Sequence, residues 1–305
     1  MKICAIDHGY DSVKIFDGSK LFTFKSKIEE TNESINTNKT YKITYDDKNY
    51  IVGAGANSNY IEYDKTANDY NKIFTLVALN KLMDTNINFE SFKIVTGYPL
   101  NLYNANKSIF AKYLKSSDIP FEADNTRKRV SIDDCIVFPQ GAGSLFVNPN
   151  EYRNKVVCVL DIGGMTVNAL ISDHLNIQSS SMFTANLGTI ILFSKIKKAL
   201  NSKFTMNIQE YEIPNILQNG LVVNGEKQDG KQIIDNILLE HCKQIKAECR
   251  RYNWNIETLE IIITGGGALV LDGYLQKVFP QCRIIDNPVY SNVLGFYKIA
   301  VNYYA

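Results

Sequence analysis

The stretch from Val156 to Asn168 constrains the fold of this chain more than any other segment. An apolar, β-branched run ends abruptly in Asp161, Gly163, Gly164 and Thr166, and a second apolar run follows. This pattern predicts a strand, a tight turn and a returning strand. Glycines let the N–H groups of such a turn approach an anion, and a carboxylate at the strand end can hold a hydrated divalent cation. The stretch therefore suits a metal-bound phosphate.

The same arrangement occurs at the start of the chain. Lys2–Ile6 predicts a strand, Asp7–Ser12 is a polar turn with one glycine, and Val13–Phe16 carries the chain back. A length of 305 residues is enough for two medium cores. The repeat therefore predicts two similar domains that face one another, each contributing a phosphate-binding hairpin to a shared cleft.

Charge and hydropathy argue against several partners. The formal net charge of +1 gives no global field that would attract the protein to nucleic acid or to an anionic bilayer, so we expect neither as a direct partner. No apolar run reaches the roughly 20 residues of a membrane span, and Met1–Cys4 leads straight into a strand. We therefore expect a cytoplasmic protein.

Two further features have simple structural readings. The six cysteines are scattered along the chain, which favours buried free thiols over a zinc site or a disulfide framework. The one dense cationic run, Arg127–Arg129, is most simply a solvated turn, with a contact surface as the alternative.

Asp7 and Asp161 occupy matching positions in the two hairpins. If the two halves pack face to face, both carboxylates reach one magnesium ion from opposite sides and hold it through its water ligands. Each acid alone could be an ordinary turn residue, but the repetition favours a metal site. Lys14, on the returning strand, is placed to reach a phosphate, with an exposed lysine as the alternative.

Backbone donors complete the predicted site. Gly9, Gly163 and Gly164 allow close approach of N–H groups, and Thr166 adds a hydroxyl. Gly265–Gly267 follows a third predicted strand and precedes a helix, whose N-terminal dipole favours anions. A glycine triplet alone is weak evidence, and it gains weight as the third such strand end.

Gln140 bears on the type of reaction. It follows a strand through a proline, and its uncharged amide can orient a water molecule without acting as a strong base. Glutamine positions water for attack on a γ-phosphate in nucleotide hydrolysis, whereas a kinase acting on a hydroxyl more often uses an aspartate base. Slow hydrolysis is therefore favoured, and a glutamine at a helix start is the structural alternative.

With these residues assembled, the chain resembles the superfamily of actin, hexokinase and the heat-shock-chaperone ATPases over nearly its whole length. Counterparts of the five motifs of that superfamily occur in order, at Asp7–Lys14, Gln140–Gly143, Asp161–Thr166, Ile263–Ala268 and Val293–Tyr297. Within it, the chain is most similar to the bacterial plasmid-segregation actins of the ParM and StbA type. That similarity also includes Thr96–Tyr103 and Pro288–Gly295.

The resemblance implies an α/β protein with the duplicated ribonuclease-H-like actin fold. Two domains with mixed five-stranded sheets would enclose a nucleotide cleft, and each would carry a smaller inserted subdomain. Domain I is expected at residues 1–153, with an insert at roughly 25–68 and completion by the C-terminal helix 290–305. Domain II is expected at residues 154–289, with an insert at roughly 190–257.

The resemblance also implies a function. It predicts a filament-forming ATPase that uses ATP, or GTP, with Mg²⁺ and that polymerises with copies of itself. Nucleotide would close the cleft and hydrolysis would loosen the polymer. The filaments would segregate plasmid DNA through a ParR-like adaptor bound to a centromere-like site, without direct contact to nucleic acid or membrane.

Residue roles carry over by position. Asp7 and Asp161 match the magnesium-water ligands of the family, Lys14 the phosphate lysine and Gln140 the hydrolytic position. The other matched positions, expected to contact the nucleotide, are Gly9, Tyr10, Asp11, Ser12, Gly163, Gly164, Met165, Thr166, Lys246, Gly265, Gly266 and Gly267.

Some positions depart from the family pattern, and two alternatives stay open. Met165 and Asn168 stand where many relatives carry glycine and aspartate, and Tyr10 replaces the phosphate-binding serine of eukaryotic actin. A small-molecule, sugar-type kinase on the same fold would need an acceptor pocket and a base. A non-polymerising scaffold ATPase is the second alternative.

Overall fold

The computed structural model describes residues 1–31, 38–57, 62 and 64–304. Parts of the predicted insert 25–68, and residue 305 of the predicted C-terminal helix, lie outside the described residues. The strands are β1 (Lys2–His8), β2 (Ser12–Phe16), β3 (Leu21–Lys25), β4 (Ile28–Glu30), β5 (Thr40–Tyr45), β6 (Lys48–Gly53), β7 (Phe89–Tyr98), β8 (Ser116–Ala123), β9 (Thr126–Pro139), β10 (Val156–Ile162), β11 (Val167–Asp173), β12 (Asn176–Ile177), β13 (Phe183–Ala185), β14 (Leu221–Val223), β15 (Glu226–Gln228), β16 (Glu260–Thr264) and β17 (Cys282–Ile284).

Helices cover and connect these strands. The α-helices are α1 (Tyr70–Leu82), α2 (Leu100–Leu114), α3 (Pro149–Tyr152), α4 (Thr189–Phe204), α5 (Ile213–Asn219), α6 (Lys231–Arg251), α7 (Gly266–Val278) and α8 (Ser291–Tyr304). Short 3₁₀ turns occur at Ala142–Phe146, Ser179–Ser181 and Glu210–Glu212. No helix among the described residues is long and apolar enough to cross a bilayer.

Two sheets share one strand order, which confirms the predicted duplication. The first contains β3-β2-β1-β7-β9 and the second β12-β11-β10-β16-β17, with β13 also paired to β11. In each, an antiparallel hairpin is followed by two strands parallel to its first strand. Both halves therefore present the turn of their first hairpin at the same edge as the carboxyl ends of the parallel strands.

The first sheet extends beyond the five strands expected for a domain. It continues from β9 through β8, β5 and β6 to β4, giving nine strands. The link is an antiparallel pairing of β5 with β8, in which Ile43 lies opposite Ala123. The insert therefore shares the hydrogen-bonded ladder of its domain. In the second half, residues 190–257 instead form helices and the hairpin β14–β15.

The apolar composition of the central strands is explained by their burial. The residues at the centre of β1, β10 and β16 are fully buried, as expected where helices cover both faces of parallel strands. The C-terminal helix α8 packs on the first sheet, with Val293 and Phe296 against Ala5 and Val95. All six cysteines are free thiols, and five of them are buried.

The cationic run Arg127–Arg129 was wrongly predicted as a turn. It lies on β9, and the turn before it contains Asp124 and Asn125, both with positive φ. Arg129 forms a bidentate pair with Asp118, at 2.8 and 2.6 Å. Asparagine and aspartate tolerate the left-handed conformation that a two-residue hairpin requires, which moves the turn to that dipeptide.

A glycine permits a close backbone contact between α8 and the 3₁₀ turn Ala142–Phe146. A Cβ on Gly295 of α8 would lie 1.7 Å from the carbonyl oxygen of Gly143, so Gly295→Ala must displace α8. We expect the free energy of unfolding to fall by about 1–3 kcal/mol in denaturant titrations. Gly273→Ala on α7 is the control, because a Cβ there meets nothing within 4 Å, and it should be neutral or stabilising. Equal stability of the two variants would contradict this packing.

Candidate functional site

Asp7 and Asp161 occupy equivalent places in the two hairpins. Each precedes the last residue of its strand, and across the hairpin Asp7 lies opposite Lys14 while Asp161 lies opposite Asn168. The two acids are 3% and 5% exposed. The repeat is thus exact in backbone position but not in charge, because a lysine faces the first acid and a neutral amide the second.

The two turns meet across a cleft. A Cβ on Gly164 of the second turn would lie 2.9 Å from the Cβ of Asp11 in the first. The second turn is held by the start of α4, since the N–H groups of Thr189 and Ile190 donate to the carbonyls of Gly163 and Gly164, at 3.0 and 2.8 Å. A larger residue at position 164 would force the turns apart.

The cleft brings together most of the residues predicted from sequence. Its walls contain the predicted residues Asp7, Gly9, Tyr10, Asp11, Ser12, Lys14, Gln140, Asp161, Gly163, Gly164, Thr166, Gly265, Gly266 and Gly267. These residues come from three strand ends and from the segment that joins the two sheets.

Two predicted residues, Lys246 and Met165, do not line the cleft. The prediction that Lys246 contacts the nucleotide is corrected, because the structure places its side chain away from the cleft. Its Nζ donates to the carbonyl of Val278 at 3.0 Å, at the end of α7 opposite to Gly266. Twelve residues of helix separate those ends by roughly 18 Å. Met165 belongs to the second turn but does not line the cleft, and its carbonyl accepts the N–H of Gly188 at 3.0 Å.

The glycine triplet closes one wall of the cleft. Gly265 has a φ of +84°, and a Cβ there would lie 2.5 Å from Oδ1 of Asp161, so only glycine fits. The helix α7 begins at Gly266, within the glycine triplet that was predicted to precede it. Its N-terminal N–H groups therefore start directly at the cleft, where they favour an anion.

Gln140 lies beside the second acid. Its backbone N–H donates to the carbonyl of Tyr98 at 2.9 Å, which fixes the residue at the end of β9. The next residue, Gly141, has a φ of +92°, and a Cβ there would lie 3.3 Å from the Cβ of Asp161. The side chain of Gln140 is 7% exposed and lines the cleft.

Three buried oxygens at the cleft accept no hydrogen bond from the described residues. They are Oδ1 of Asp7, Oε1 of Gln140 and Oδ1 of Asn292. An unsatisfied buried acceptor costs about 1–3 kcal/mol, so this group favours a ligand that brings donors and positive charge. A hydrated divalent cation meets both demands, and the residues therefore fit one. Within the described ranges, no cluster of three or more His, Cys, Asp or Glu side chains is arranged to hold a metal.

The electrostatics of the two acids differ. Lys14 Nζ donates to Oδ2 of Asp7 at 3.1 Å, and although burial opposes it, this pairing raises the pKa of Lys14. Burial and the nearby charge of Asp7 raise the pKa of Asp161 to about 6, and the hydrogen bond from Asn292 Nδ2, at 2.9 Å, opposes the rise. The cleft therefore lacks one positive charge on the side of Asp161.

Sequence reasoning missed several residues of the cleft. Thr189, Pro288, Val289 and Asn292 also line it, together with Asn168, which was noted only as a departure from a family pattern. Thr189 begins α4 directly behind Gly188, and this position at a helix N-terminus was the available signal. Asn292 carries no local signal, because it reaches Asp161 from α8.

Comparisons with known proteins agree with this architecture. Residues 5–143 match the family model of the actin like proteins N terminal domain. Residues 159–277 match the model of the archaeal actin homologue MreB-like, C-terminal. A comparison with curated proteins gave no match to the sequence.

Solved structures resemble the whole chain. Ta0583, an archaeal actin homolog, has a TM-score of 0.84 and 17% identity, covering 99% of this chain and 100% of that chain. Its complex with ADP has a TM-score of 0.81 at the same identity and coverage. A 15-stranded ParM filament from Clostridium botulinum has a TM-score of 0.79 and 21% identity, covering 99% of both chains. These values confirm the predicted actin fold.

The raised pKa of Asp161 makes a testable difference to stability. The pKa of about 6 in the folded state exceeds the unfolded value of about 3.9, so stability falls as pH rises between these values. Ionised Asp161 then costs on the order of 3 kcal/mol above pH 6.

Asp161→Asn removes this cost. The free energy of unfolding of the variant minus that of the wild type should therefore rise from about pH 4 to about pH 7 and then level off. Denaturant titrations in EDTA without nucleotide measure the difference. A difference that does not change with pH would contradict the assigned burial of Asp161.

Proposed function

Since the chain is an actin-like protein, with actin-family models matching both of its halves, we propose that it is a filament-forming ATPase that segregates plasmid DNA. Nucleotide binding in the cleft would favour assembly, and hydrolysis would loosen the polymer. ATP is the proposed nucleotide and GTP the alternative.

One observation carries the proposal. Two equivalent phosphate turns face each other, each with a buried acid, and three oxygen acceptors between them find no donor among the described residues. A polyphosphate with a hydrated cation would supply the missing donors and the missing positive charge. The archaeal homolog Ta0583 has been solved in complex with ADP, which supports a nucleotide as the ligand.

The roles of the cleft residues follow from their positions. Asp7 and Asp161 would hold Mg²⁺ through its waters, and the ion would neutralise phosphate charge. Lys14 would contact a phosphate from the first hairpin. The N–H groups of the two glycine turns, and of the start of α7, would bind phosphate oxygens.

Hydrolysis is favoured over transfer to a hydroxyl. Of the acids lining the cleft, Asp7 and Asp161 are the proposed holders of Mg²⁺ and Asp11 pairs with Lys25, so none is left as a base for an acceptor hydroxyl. Gln140 offers an unpaired amide oxygen that can accept a hydrogen bond from a water molecule. Holding that water in line with the terminal phosphate would be sufficient for slow hydrolysis.

Assembly and DNA transport are proposed from relatives and from charge. ParM of Clostridium botulinum has been solved as a 15-stranded filament, so self-association is the first expectation here. The cationic run on β9 is offset by Asp118 and Glu122, and the net charge is +1. We therefore propose that a ParR-like, DNA-binding adaptor on a centromere-like site connects the filament to plasmid DNA.

Sedimentation tests assembly. At concentrations in the tens of micromolar, the protein should pellet with ATP and Mg²⁺ and stay in the supernatant in EDTA. A protein that remains monomeric with every nucleotide and salt would support the scaffold alternative. Sugar-dependent formation of ADP, without pelleting, would support the kinase alternative.

Gln140→Ala tests the hydrolytic residue. Without the amide the attacking water is no longer held, so phosphate release should slow by about 10²-fold while pelleting with ATP is retained. Gln276→Ala, on the exposed side of α7, is the matched control and should hydrolyse ATP like the wild type. Normal phosphate release by Gln140→Ala would remove Gln140 from the mechanism.

A further inference from the structure

Asn292 lies where the C-terminal helix reaches the cleft. It is the second residue of α8, whose body packs on the first sheet through side chains that include Val293 and Phe296. The start of the helix instead contacts the second half of the chain, because the hydroxyls of Ser291 and Thr264 share a hydrogen bond. The side chain of Asn292 is therefore held at the junction of the two halves.

Hydrogen bonding fixes the direction of the Asn292 amide. Its Nδ2 donates to Oδ2 of Asp161 at 2.9 Å, and the residue is 5% exposed. An ionised carboxylate can only accept, so the NH₂ end of the amide faces Asp161 and the carbonyl end is directed away from it. The main chain is closely packed as well, since a Cβ on Gly143 would lie 2.5 Å from the carbonyl oxygen of Asn292.

The carbonyl end of this amide has a fixed position but no partner. Oδ1 of Asn292 is buried and accepts no hydrogen bond from the described part of the chain, and the residue lines the cleft. An unsatisfied buried acceptor is destabilising, so it favours a ligand that brings a donor. A phosphate oxygen is itself an acceptor and cannot fill this role.

A water molecule bound to the proposed cation is a donor that fits. Because Nδ2 and Oδ1 belong to one small planar group, Oδ1 lies beside the carboxylate of Asp161, which is proposed to hold the cation through water. Lys14, whose ammonium lines the cleft, is already paired with Asp7 at 3.1 Å. Magnesium keeps several of its waters in protein sites. Asp161 and Asn292 can therefore accept from waters of the same ion.

The charge of the amide matters as much as its position. Asp7 and Asp161 carry two negative charges, Lys14 carries one positive charge and Asn292 carries none, so these four side chains sum to −1. A divalent cation alone would leave an excess positive charge in buried surroundings, whereas phosphate that arrives with the cation restores the balance. A neutral ligand at position 292 therefore favours joint binding of cation and nucleotide over binding of the cation alone.

We propose that Asn292 is a further ligand of the hydrated cation, with Oδ1 accepting a hydrogen bond from a cation-bound water while Nδ2 holds Asp161, and that its neutral amide makes cation binding depend on nucleotide. The inference rests on the proposed function and extends it to a residue of the C-terminal helix. Two substitutions at this position test it, because one removes the acceptor and the other adds charge to it.

Asn292→Leu removes the amide at similar volume. Without the acceptor and the donor, the affinity for Mg·ATP should fall by about tenfold. The affinity for ATP in EDTA should not change, since no cation is then present. Isothermal titration calorimetry on the full chain measures both affinities.

Asn292→Asp keeps an acceptor and adds a carboxylate. Three acids then face the cation, so Mg²⁺ alone should bind about tenfold more tightly than it binds to the wild type. The readout is the unfolding midpoint in denaturant as MgCl₂ is titrated without nucleotide, because a cation that binds the folded state stabilises it. A residue that only held Asp161 in place would give the opposite result, since aspartate lacks the Nδ2 donor.

Matched controls are available at both ends of α8. Asn287→Asp adds the same charge at an exposed residue that precedes the helix and does not line the cleft. Asn302→Leu makes the apolar change at an exposed residue of the last turn. Both control variants should bind Mg²⁺ and Mg·ATP like the wild type.

The outcomes separate the inference from the proposed function. If the wild type binds Mg·ATP, Asn292→Leu retains that affinity and Asn292→Asp gains none for Mg²⁺ alone, the inference is overturned and the nucleotide site stands. If the wild type binds no Mg·ATP, the proposed function is overturned and the inference falls with it.

A purely structural role would also show itself. Weaker binding of Mg·ATP by both variants, with no gain for Mg²⁺ alone in Asn292→Asp, would overturn the inference. If Asn292→Asp does not fold, Asn292→Leu decides: an equal loss of affinity for Mg·ATP and for ATP in EDTA would indicate general disruption of the cleft and would likewise overturn it.

Discussion

A buried acid without a cationic partner is the constraint on which the site depends. Asp7 and Asp161 are equivalent in backbone position, yet only Asp7 has a lysine opposite it in its hairpin. Both acids are almost fully buried, so the second charge is costly in the free protein. A cation delivered with the proposed phosphate ligand would remove that cost. In the proposed function, ligand binding and the stability of the protein would therefore be linked through the same carboxylate.

The duplicated strand order places Asp7 and Asp161 where the two halves of the chain meet. Each half contributes a turn at the same edge of its sheet, and glycines allow the approach: Gly164 reaches Asp11, Gly265 reaches Asp161, and Gly295 reaches Gly143. A Cβ at any of these positions would force neighbouring atoms apart. Among these contacts, that of Gly164 with Asp11 crosses between the two halves, so a movement of one half relative to the other would change the spacing of the two turns.

The sequence predicted the parts of the site whose residues lie close together along the chain. The two turns were readable because an acid, glycines and a hydroxyl follow one another within a few residues, and the repeat doubled the signal. Asn292 could not be predicted, since it reaches Asp161 from α8 and its burial has no local pattern in the sequence. Lys246 was misplaced because it was assigned by a resemblance in sequence position, which does not give the distance of a side chain from the cleft. The nine-stranded sheet depended on the pairing of β5 with β8, which sequence does not specify.

Proton release on ligand binding tests the central claim most directly. Mg·ATP should be titrated at pH 6 in buffers of different ionisation enthalpy, with the same pair of titrations at pH 8. Because the pKa of Asp161 is about 6, a cation at that carboxylate should release about half a proton at pH 6 and almost none at pH 8. The release at pH 6 should vanish in Asp161→Asn. Binding without proton release at pH 6, or no binding of Mg·ATP at all, would contradict the account.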